Sequence, residues 1–354
     1  FKHNSRFASF TLVAKGSYSY ELDIAYPFSL VYMDKKDEAV HVMPAYWFVH
    51  NMYAMARNSW KFRKRDARKV KEQNIEVDYL APDTVSEMLA GMARLEKLAA
   101  AEALSRVSGA AGAKTTGAEA RRMGRELLSE RGNEDAPLID EGVMRRFGGI
   151  VEKPGRGWRH YRDFCAYFGV KTLVDYLKIG TGDSLSSFIA GAIALRAKGI
   201  QEKWINLGGQ IVASDDVEIL RSDLKTGRLD GWDAVHARYD ELWAAYPERK
   251  ARYALYAIEQ SLGLSIETMD AKAWESLLKT GSATFSRIYD SAFASRQKDY
   301  QDPFRRMVYE NEEEMYAVLG KIEDNSFLSE LRDQTKAYVE LLDSLAEGGA
   351  HGAT

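Results

Sequence analysis

The sequence contains almost no cysteine and no long hydrophobic run. Cys165 is the single cysteine among 354 residues, which excludes an internal disulfide and a zinc site built on cysteines. A lone thiol suits a reducing compartment, so we expect a cytoplasmic protein. No apolar run reaches the roughly 18 residues that a membrane-spanning helix needs, so no membrane partner is predicted.

An excess of charge of one sign is also missing. The 49 basic and 52 acidic residues give a net charge of −3 and a pI near 6.2. This balance excludes a globally basic nucleic-acid binder, and we expect no nucleic-acid partner. With 45% hydrophobic and 29% charged residues, the composition is that of a folded chain. The length predicts roughly two domains.

The first 44 residues are rich in strand-forming side chains. Aromatic and branched residues come in short runs broken by Gly16, Pro27 and Pro44, which is typical of short strands with tight connections. Residues 12–17 place aliphatic, small and turn residues within six positions. Such six-residue units build left-handed β-helices, with the aliphatic side chain pointing inward. Because strand-like sequence begins at Phe1, we interpret the chain as a piece of a longer protein.

Several stretches together resemble a known family: residues 1–16, 44–48, 51–55, 204–210 and 299–305. The family consists of large uncharacterised bacterial proteins. In these, a left-handed β-helix similar to that of hexapeptide-repeat sugar-nucleotide acyltransferases and nucleotidyltransferases is followed by a long helical region of unknown function. The resemblance implies a trimer with sites between neighbouring subunits. It implies no particular reaction.

The remainder of the chain reads as helices, so the predicted fold is mainly α. Capping and amphipathic patterns predict helices at about 45–71, 84–98, 163–179, 184–198, 231–246, 248–262, 270–299, 309–322 and 326–346. Small residues at 108–118 predict a flexible loop, and the Gly- and cation-rich stretch 148–163 predicts a hinge.

These boundaries give four predicted parts. Residues 1–44 are the terminal β-helix coils and exit strands. Residues 45–150 form a first helical part with a basic helix and the flexible loop, and residues 151–346 form a second helical bundle. Residues 347–354 are a frayed, Gly- and Ala-rich tail.

Histidine chemistry is the first candidate activity. The resemblance implies that a histidine from one coil removes a proton from an acceptor hydroxyl or amine, and His3 is our candidate for that base. Imidazole suits the task because its pKa lies near neutrality. Asn4 would orient the substrate or stabilise an oxyanion. The alternative is that both are surface residues of an inactive coil. None of the six histidines has metal-ligand spacing, and no cofactor is predicted.

Clustered cations are the second candidate site. Such clusters attract phosphate groups, although a solvated helix face paired with acids such as Glu310 and Glu312–Glu314 is the alternative. A second cluster, at residues 156–162, interleaves cations with aromatic residues. The alternative to anion binding there is an exposed interdomain turn. The candidate anion-binding residues are Arg57, Lys61, Arg63, Lys64, Arg65, Arg156, Arg159 and His160.

Two functions remain open at this stage. In the first, the chain belongs to a transferase-like protein that moves an acyl or nucleotidyl group to a sugar or sugar nucleotide. Most of its active site then lies upstream, and the helical region caps or oligomerises it. In the second, the chain is a non-catalytic helical module that docks an anionic partner through residues 57–71.

Overall fold

The computed structural model describes residues 2–108, 117–130, 136–200 and 203–347. It is mainly helical, with 63% helix and 9% strand, which confirms the mainly α class with short N-terminal strands. Most of the predicted loop at 108–118 and of the predicted tail at 347–354 lies outside the described residues. Among the helices described, none combines the length and hydrophobicity that crossing a lipid bilayer requires.

The elements alternate between short strands and longer helices. The strands are β1 Arg6–Phe7, β2 Leu12–Val13, β3 Asp23–Ile24, β4 Leu30–Met33, β5 Val40–Met43, β6 Leu138–Asp140, β7 Gly149–Val151, β8 Trp204–Leu207 and β9 Gln210–Ala213. The helices are α1 Tyr46–His50, α2 Met52–Arg65, α3 Pro82–Ser108, α4 Gly117–Ser129, α5 Pro154–Leu177, α6 Leu185–Arg196, α7 Ser214–Lys225, α8 Gly231–Leu262, α9 Ala271–Gln301, α10 Pro303–Arg306, α11 Glu312–Leu319 and α12 Ser326–Glu347.

The chain divides into two compact units. The first unit, here the sheet unit, comprises residues 1–49 and 84–165. The second, here the helical unit, comprises residues 50–83 and 166–354.

Parallel pairing at long sequence intervals organises the start of the sheet unit. β1 pairs with β3 so that Arg6 lies beside Asp23. β2 pairs with β4 so that Leu12 lies beside Leu30, eighteen residues later. The ladder continues beyond the strand ends, because the N–H of Ala14 donates to the carbonyl of Val31 at 2.8 Å. The predicted short strands of the N-terminal segment are therefore confirmed.

The pairing changes at β4. Its second edge pairs antiparallel with β5, and β5 pairs parallel with β7, which gives the strand order β2-β4-β5-β7-β6. The predicted hinge at 148–163 is wrong, because β7 and the start of α5 occupy it. A Cβ on Gly149 would lie 2.4 Å from Val143 Cγ1, so this glycine permits close packing. Pro154 occupies the first helical position, where its missing N–H costs nothing.

A chain of aromatic contacts runs from the exposed Phe10 into the core of the sheet unit. The Phe28 ring lies 4.8 Å from Phe10 and 4.7 Å from Phe48 between centroids. Phe48 in turn stacks on Phe164 of α5 at 3.8 Å. Aromatic pairs of this kind contribute about 1 kcal/mol each beyond burial, so these ring contacts hold the N-terminal strands onto α1 and α5.

In the helical unit, α9 packs along α12 and α2. Three predicted boundaries are wrong here. The predicted 45–71 helix is interrupted at Asn51, whose ψ of 23° departs from helical geometry, and α2 ends at Arg65. The two helices predicted on either side of Pro247 form the single α8. The β8–β9 hairpin was not predicted; its turn uses Gly208 and Gly209, both at positive φ, where glycine is free of strain.

Candidate functional site

A buried histidine in the sheet unit lies between two carboxylates. His41 on β5 is only 7% exposed. Its Nδ1 lies 2.8 Å from Glu152 Oε1, and its Nε2 lies 2.9 Å from Asp37 Oδ2. Both ring nitrogens of one imidazole are thus held by acids from different elements.

The strand register brings these groups together. Tyr32 on β4 lies directly opposite His41, its ring stacks on the imidazole with centroids 5.1 Å apart, and its hydroxyl donates to the same Glu152 oxygen. Glu152 follows β7, and its N–H donates to the carbonyl of Val42 at 2.8 Å. Asp37 lies in the exposed β4–β5 turn, where it also accepts the N–H of Ala39 at 3.0 Å.

The carboxylates favour the charged imidazolium. Burial lowers the pKa of His41, but the hydrogen bonds to Asp37 and Glu152 outweigh it, and the pKa is raised overall. The backbone N–H of Ala39 and the bond to His41 lower the pKa of Asp37. Burial and the bond to Glu152 raise the pKa of Tyr32. The cluster therefore favours the charged form of His41 and the ionised form of Asp37.

A cleft of about 480 Å³ opens beside this cluster, and Asp37 is part of its wall. Ile139 and Phe147 also line it, yet they are 63% and 65% exposed. Large apolar side chains exposed in a concave surface mark binding sites. The cleft thus has an apolar wall and an acidic rim, with Glu38 beside Asp37.

The geometry can perform acid–base chemistry. Glu152 holds Nδ1 and so fixes the tautomer and orientation of the ring. The acidic residue of a catalytic triad has the same role. Nε2 is the nitrogen available for proton transfer, and it is covered by Asp37 of the exposed turn. The same corner offers a ligand set for a divalent cation, because one ligand atom each of Asp34, Asp37 and His41 lie within 4.8 Å of one another.

The predicted catalytic pair lies elsewhere in the sheet unit. His3 and Asn4 are exposed in the turn that precedes β1. Asn4 has φ of 68°, a left-handed conformation that asparagine tolerates in turns. Their roles as base and orienting group remain predictions.

Acids pair with several of the predicted anion-binding cations of α2. Arg63 pairs with Asp78, and Lys64 Nζ lies 3.1 Å from Glu330. The Arg57 guanidinium lies 5.8 Å from the centroid of the Tyr53 ring. These partners are not the acids at 310–314 that the sequence suggested. Lys61 is half-buried, and Arg65 is exposed at the end of the helix.

The second predicted cation cluster belongs to the sheet unit. Arg156, Arg159 and His160 lie on α5 and not in an exposed turn. Arg159 donates to the carbonyl of Leu128 at 3.1 Å, and the Arg156 guanidinium lies 3.8 Å from the sulfur of Met43. All three side chains are half-buried.

Sequence reasoning missed the His41 cluster. Asp37 and His41 are four residues apart, yet neither was among the predicted site residues. Glu152 is 111 residues further along the chain, and only the β5–β7 pairing brings it to the ring. A histidine placed between two β-branched residues in a strand, Val40 and Val42, was the local signal.

The raised pKa of His41 predicts a pH dependence of stability. An unfolded histidine titrates near pH 6.5, so the stabilisation is complete below that pH and is lost as the pH rises through the higher folded pKa. We expect the melting temperature of the wild type to exceed that of His41→Gln most at pH 6 and least at pH 9. Thermal melts across this range test it; a gap that widens with pH contradicts it.

Two comparisons with known proteins return matches. The model of a protein family described as a domain of unknown function (DUF6819) matches residues 190–348. An uncharacterized protein of Treponema pallidum (strain Nichols) is 32% identical over 335 residues, which cover 94% of this chain and 44% of the relative. The chain thus spans less than half the length of that curated relative. The comparison with solved structures finds no significant match.

Proposed function

We propose that the chain is the C-terminal part of a cytoplasmic, trimeric, transferase-like protein of the hexapeptide-repeat type. The observation that carries the proposal is the parallel pairing of Leu12 with Leu30. Eighteen residues is the length of one coil built from three six-residue units, which is the coil that a left-handed β-helix repeats. The β1–β3 pair supports it with an interval of seventeen residues.

The proposed reaction is acyl or nucleotidyl transfer to a hydroxyl or amine of a sugar or sugar nucleotide. In the acyl case the donor is an acyl thioester. Once Asp37 turns aside, Nε2 of neutral His41 takes the proton of the attacking hydroxyl or amine as its oxygen or nitrogen bonds to the thioester carbonyl carbon. The carbon–sulfur bond then breaks, and the imidazolium gives the proton to the leaving thiolate. Glu152 stabilises the imidazolium that forms. Support for this role is the geometry of a buried, oriented histidine beside a cleft; general base catalysis of this kind contributes about 10²–10⁴-fold in rate.

A transfer assay tests the proposal. The purified chain is incubated with acetyl coenzyme A and a panel of sugar nucleotides, and released thiol is measured. In parallel, nucleoside triphosphates are combined with sugar phosphates, and released pyrophosphate is measured. We expect one of the two products to accumulate, and His41→Gln to lower its rate at least 100-fold.

The matched control is His236→Gln, because His236 is an exposed histidine of α8 in the helical unit. We expect this variant to retain the wild-type rate. Release of neither product, or equal rates in both variants, contradicts the catalytic proposal.

The alternative, docking of an anionic partner through residues 57–71, remains a prediction with less support. Arg63, Lys64 and Arg68 already have acidic partners at Asp78, Glu330 and Asp66. Such pairing reduces the local positive potential that would attract a phosphate.

A further inference from the structure

A second cavity, of about 250 Å³, lies within the helical unit. Its walls come from the segment before α3, from the second half of α5 and from the middle of α8. The volume is just below the range of about 300–1,000 Å³ that drug-sized ligands occupy. The cavity therefore suits one ring-sized molecule and is too small for a dinucleotide.

Aromatic side chains form much of the cavity wall: Tyr79, Tyr167, Phe168 and Tyr176. Phe168 and Tyr167 are nearly fully buried, and Tyr167 is held by the Phe285 ring at 5.4 Å between centroids. Burial raises the pKa values of Tyr79 and Tyr167, so both phenols are neutral. The aromatic part of the wall is therefore uncharged.

The charged groups of the lining cancel. Lys171 and Lys250 contribute two positive charges, and Asp78 and Asp175 contribute two negative ones. Each lysine is also paired with an acid: Lys171 Nζ lies 2.5 Å from Asp175, and Lys250 Nζ lies 2.7 Å from Glu76. A phosphate or carboxylate ligand would have to compete with these acids for the lysines.

A hydroxyl group donates and accepts hydrogen bonds at once. One hydroxyl can therefore accept a hydrogen bond from a lysine and donate one to the carboxylate that pairs with it, so the ion pair stays intact. An anion can only accept and a cation can only donate, so neither can bond both partners. A ring that carries several hydroxyls and one apolar face satisfies both the ion pairs and the aromatic wall. A nucleobase also offers a flat face to the aromatic wall and hydrogen-bond donors and acceptors to the pairs, so nucleosides are the rival ligands in the test.

We propose that this cavity binds a neutral polyhydroxylated ring, such as a monosaccharide. The site uses only residues of the helical unit, so it stands independently of the transferase proposal. The ion pair of Lys171 and Asp175 provides the hydrogen bonds to the hydroxyls, and the aromatic rings contact the C–H face of the sugar.

Ligand-observed NMR on the purified chain tests the proposal, with glucose, galactose, mannose and N-acetylglucosamine as probes and adenosine and uridine as rivals. We expect saturation transfer to at least one sugar. Lys171→Met should weaken that binding at least tenfold, and Asp175→Asn should do the same. Lys279→Met, which changes an exposed lysine of α9, should leave the affinity unchanged.

Three results would overturn the proposal. The first is no saturation transfer to any of the sugars. The second is binding of a nucleoside in preference to all of them. The third is sugar binding that Lys171→Met and Asp175→Asn leave unaffected while both variants melt at the wild-type temperature.

Discussion

Asp140→Asn is expected to lower the free energy of unfolding of the sheet unit by about 3 kcal/mol. Asp140 is 2% exposed and accepts two hydrogen bonds from Arg94, both at 2.6 Å. It also accepts the hydroxyl of Tyr26 at 2.5 Å and the N–H of Gly142 at 3.0 Å. Asparagine removes the negative charge and leaves the Arg94 guanidinium without its counter-ion. Urea denaturation followed by circular dichroism measures the loss.

Acid should weaken the same interaction. Burial acts to raise the pKa of Asp140, but the hydrogen bonds from Arg94, Tyr26 and Gly142 outweigh it, and the pKa is lowered. The stabilisation is therefore present above about pH 3.9, the unfolded value, and is lost as the pH falls through the folded pKa. The stability gap between wild type and variant should shrink at low pH.

Asp23→Asn is the matched control, because it makes the same change at an exposed ion pair of the sheet unit. Arg6 and Asp23 have side chains that are 78% and 40% exposed, and pairs of this kind contribute about 0–1 kcal/mol. Equal free energies of unfolding for Asp140→Asn and Asp23→Asn would show that the buried Arg94–Asp140 pair contributes no more to stability than an exposed ion pair.

Gly124→Ala is expected to cost about 3 kcal/mol or more, because α4 packs on α3 through this glycine. A Cβ at residue 124 would lie 1.9 Å from the carbonyl oxygen of Glu96, so the two helices would have to separate. Separation also exposes the buried Glu96 carboxylate, which Arg125 and the Trp158 indole N–H bond at 3.0 and 3.1 Å. The melting temperature of the sheet unit measures the effect.

The control is Gly117→Ala at the first residue of the same helix, where an added Cβ meets nothing within 4 Å. Alanine has the higher helix propensity, so this variant should be as stable as the wild type or slightly more stable. A Gly124→Ala protein with unchanged melting temperature would show that α4 can move away without cost.

Local patterns predicted most of the fold, because they depend on residues close in the sequence. The short N-terminal strands and α9 and α12 followed from composition and periodicity. The β6–β7 pair and the continuation of α8 through Pro247 could not be predicted from these local patterns. In each case packing overrode a local signal: Gly149 permits close contact with Val143, and α8 buries residues on both sides of its proline.

The candidate sites were harder to predict, because their residues meet only through long-range pairing. His41 and Glu152 are brought together by the parallel β5–β7 register. The cavity proposed to bind a sugar is lined by Asp78, Lys171 and Lys250, which come from three separate segments of the chain. A linear sequence shows such residues as isolated charges, each of which is more often part of a solvated surface.

The reversal of strand direction at β4 has a consequence for how copies of this chain behave at high concentration. A ladder of parallel strands ends in a row of free N–H and carbonyl groups, which can template the stacking of another molecule into fibres. Here the returning β5 occupies that row along the whole of β4. A strand from another molecule therefore cannot extend the parallel ladder at this edge of β4, and the edge of the sheet lies instead at β6.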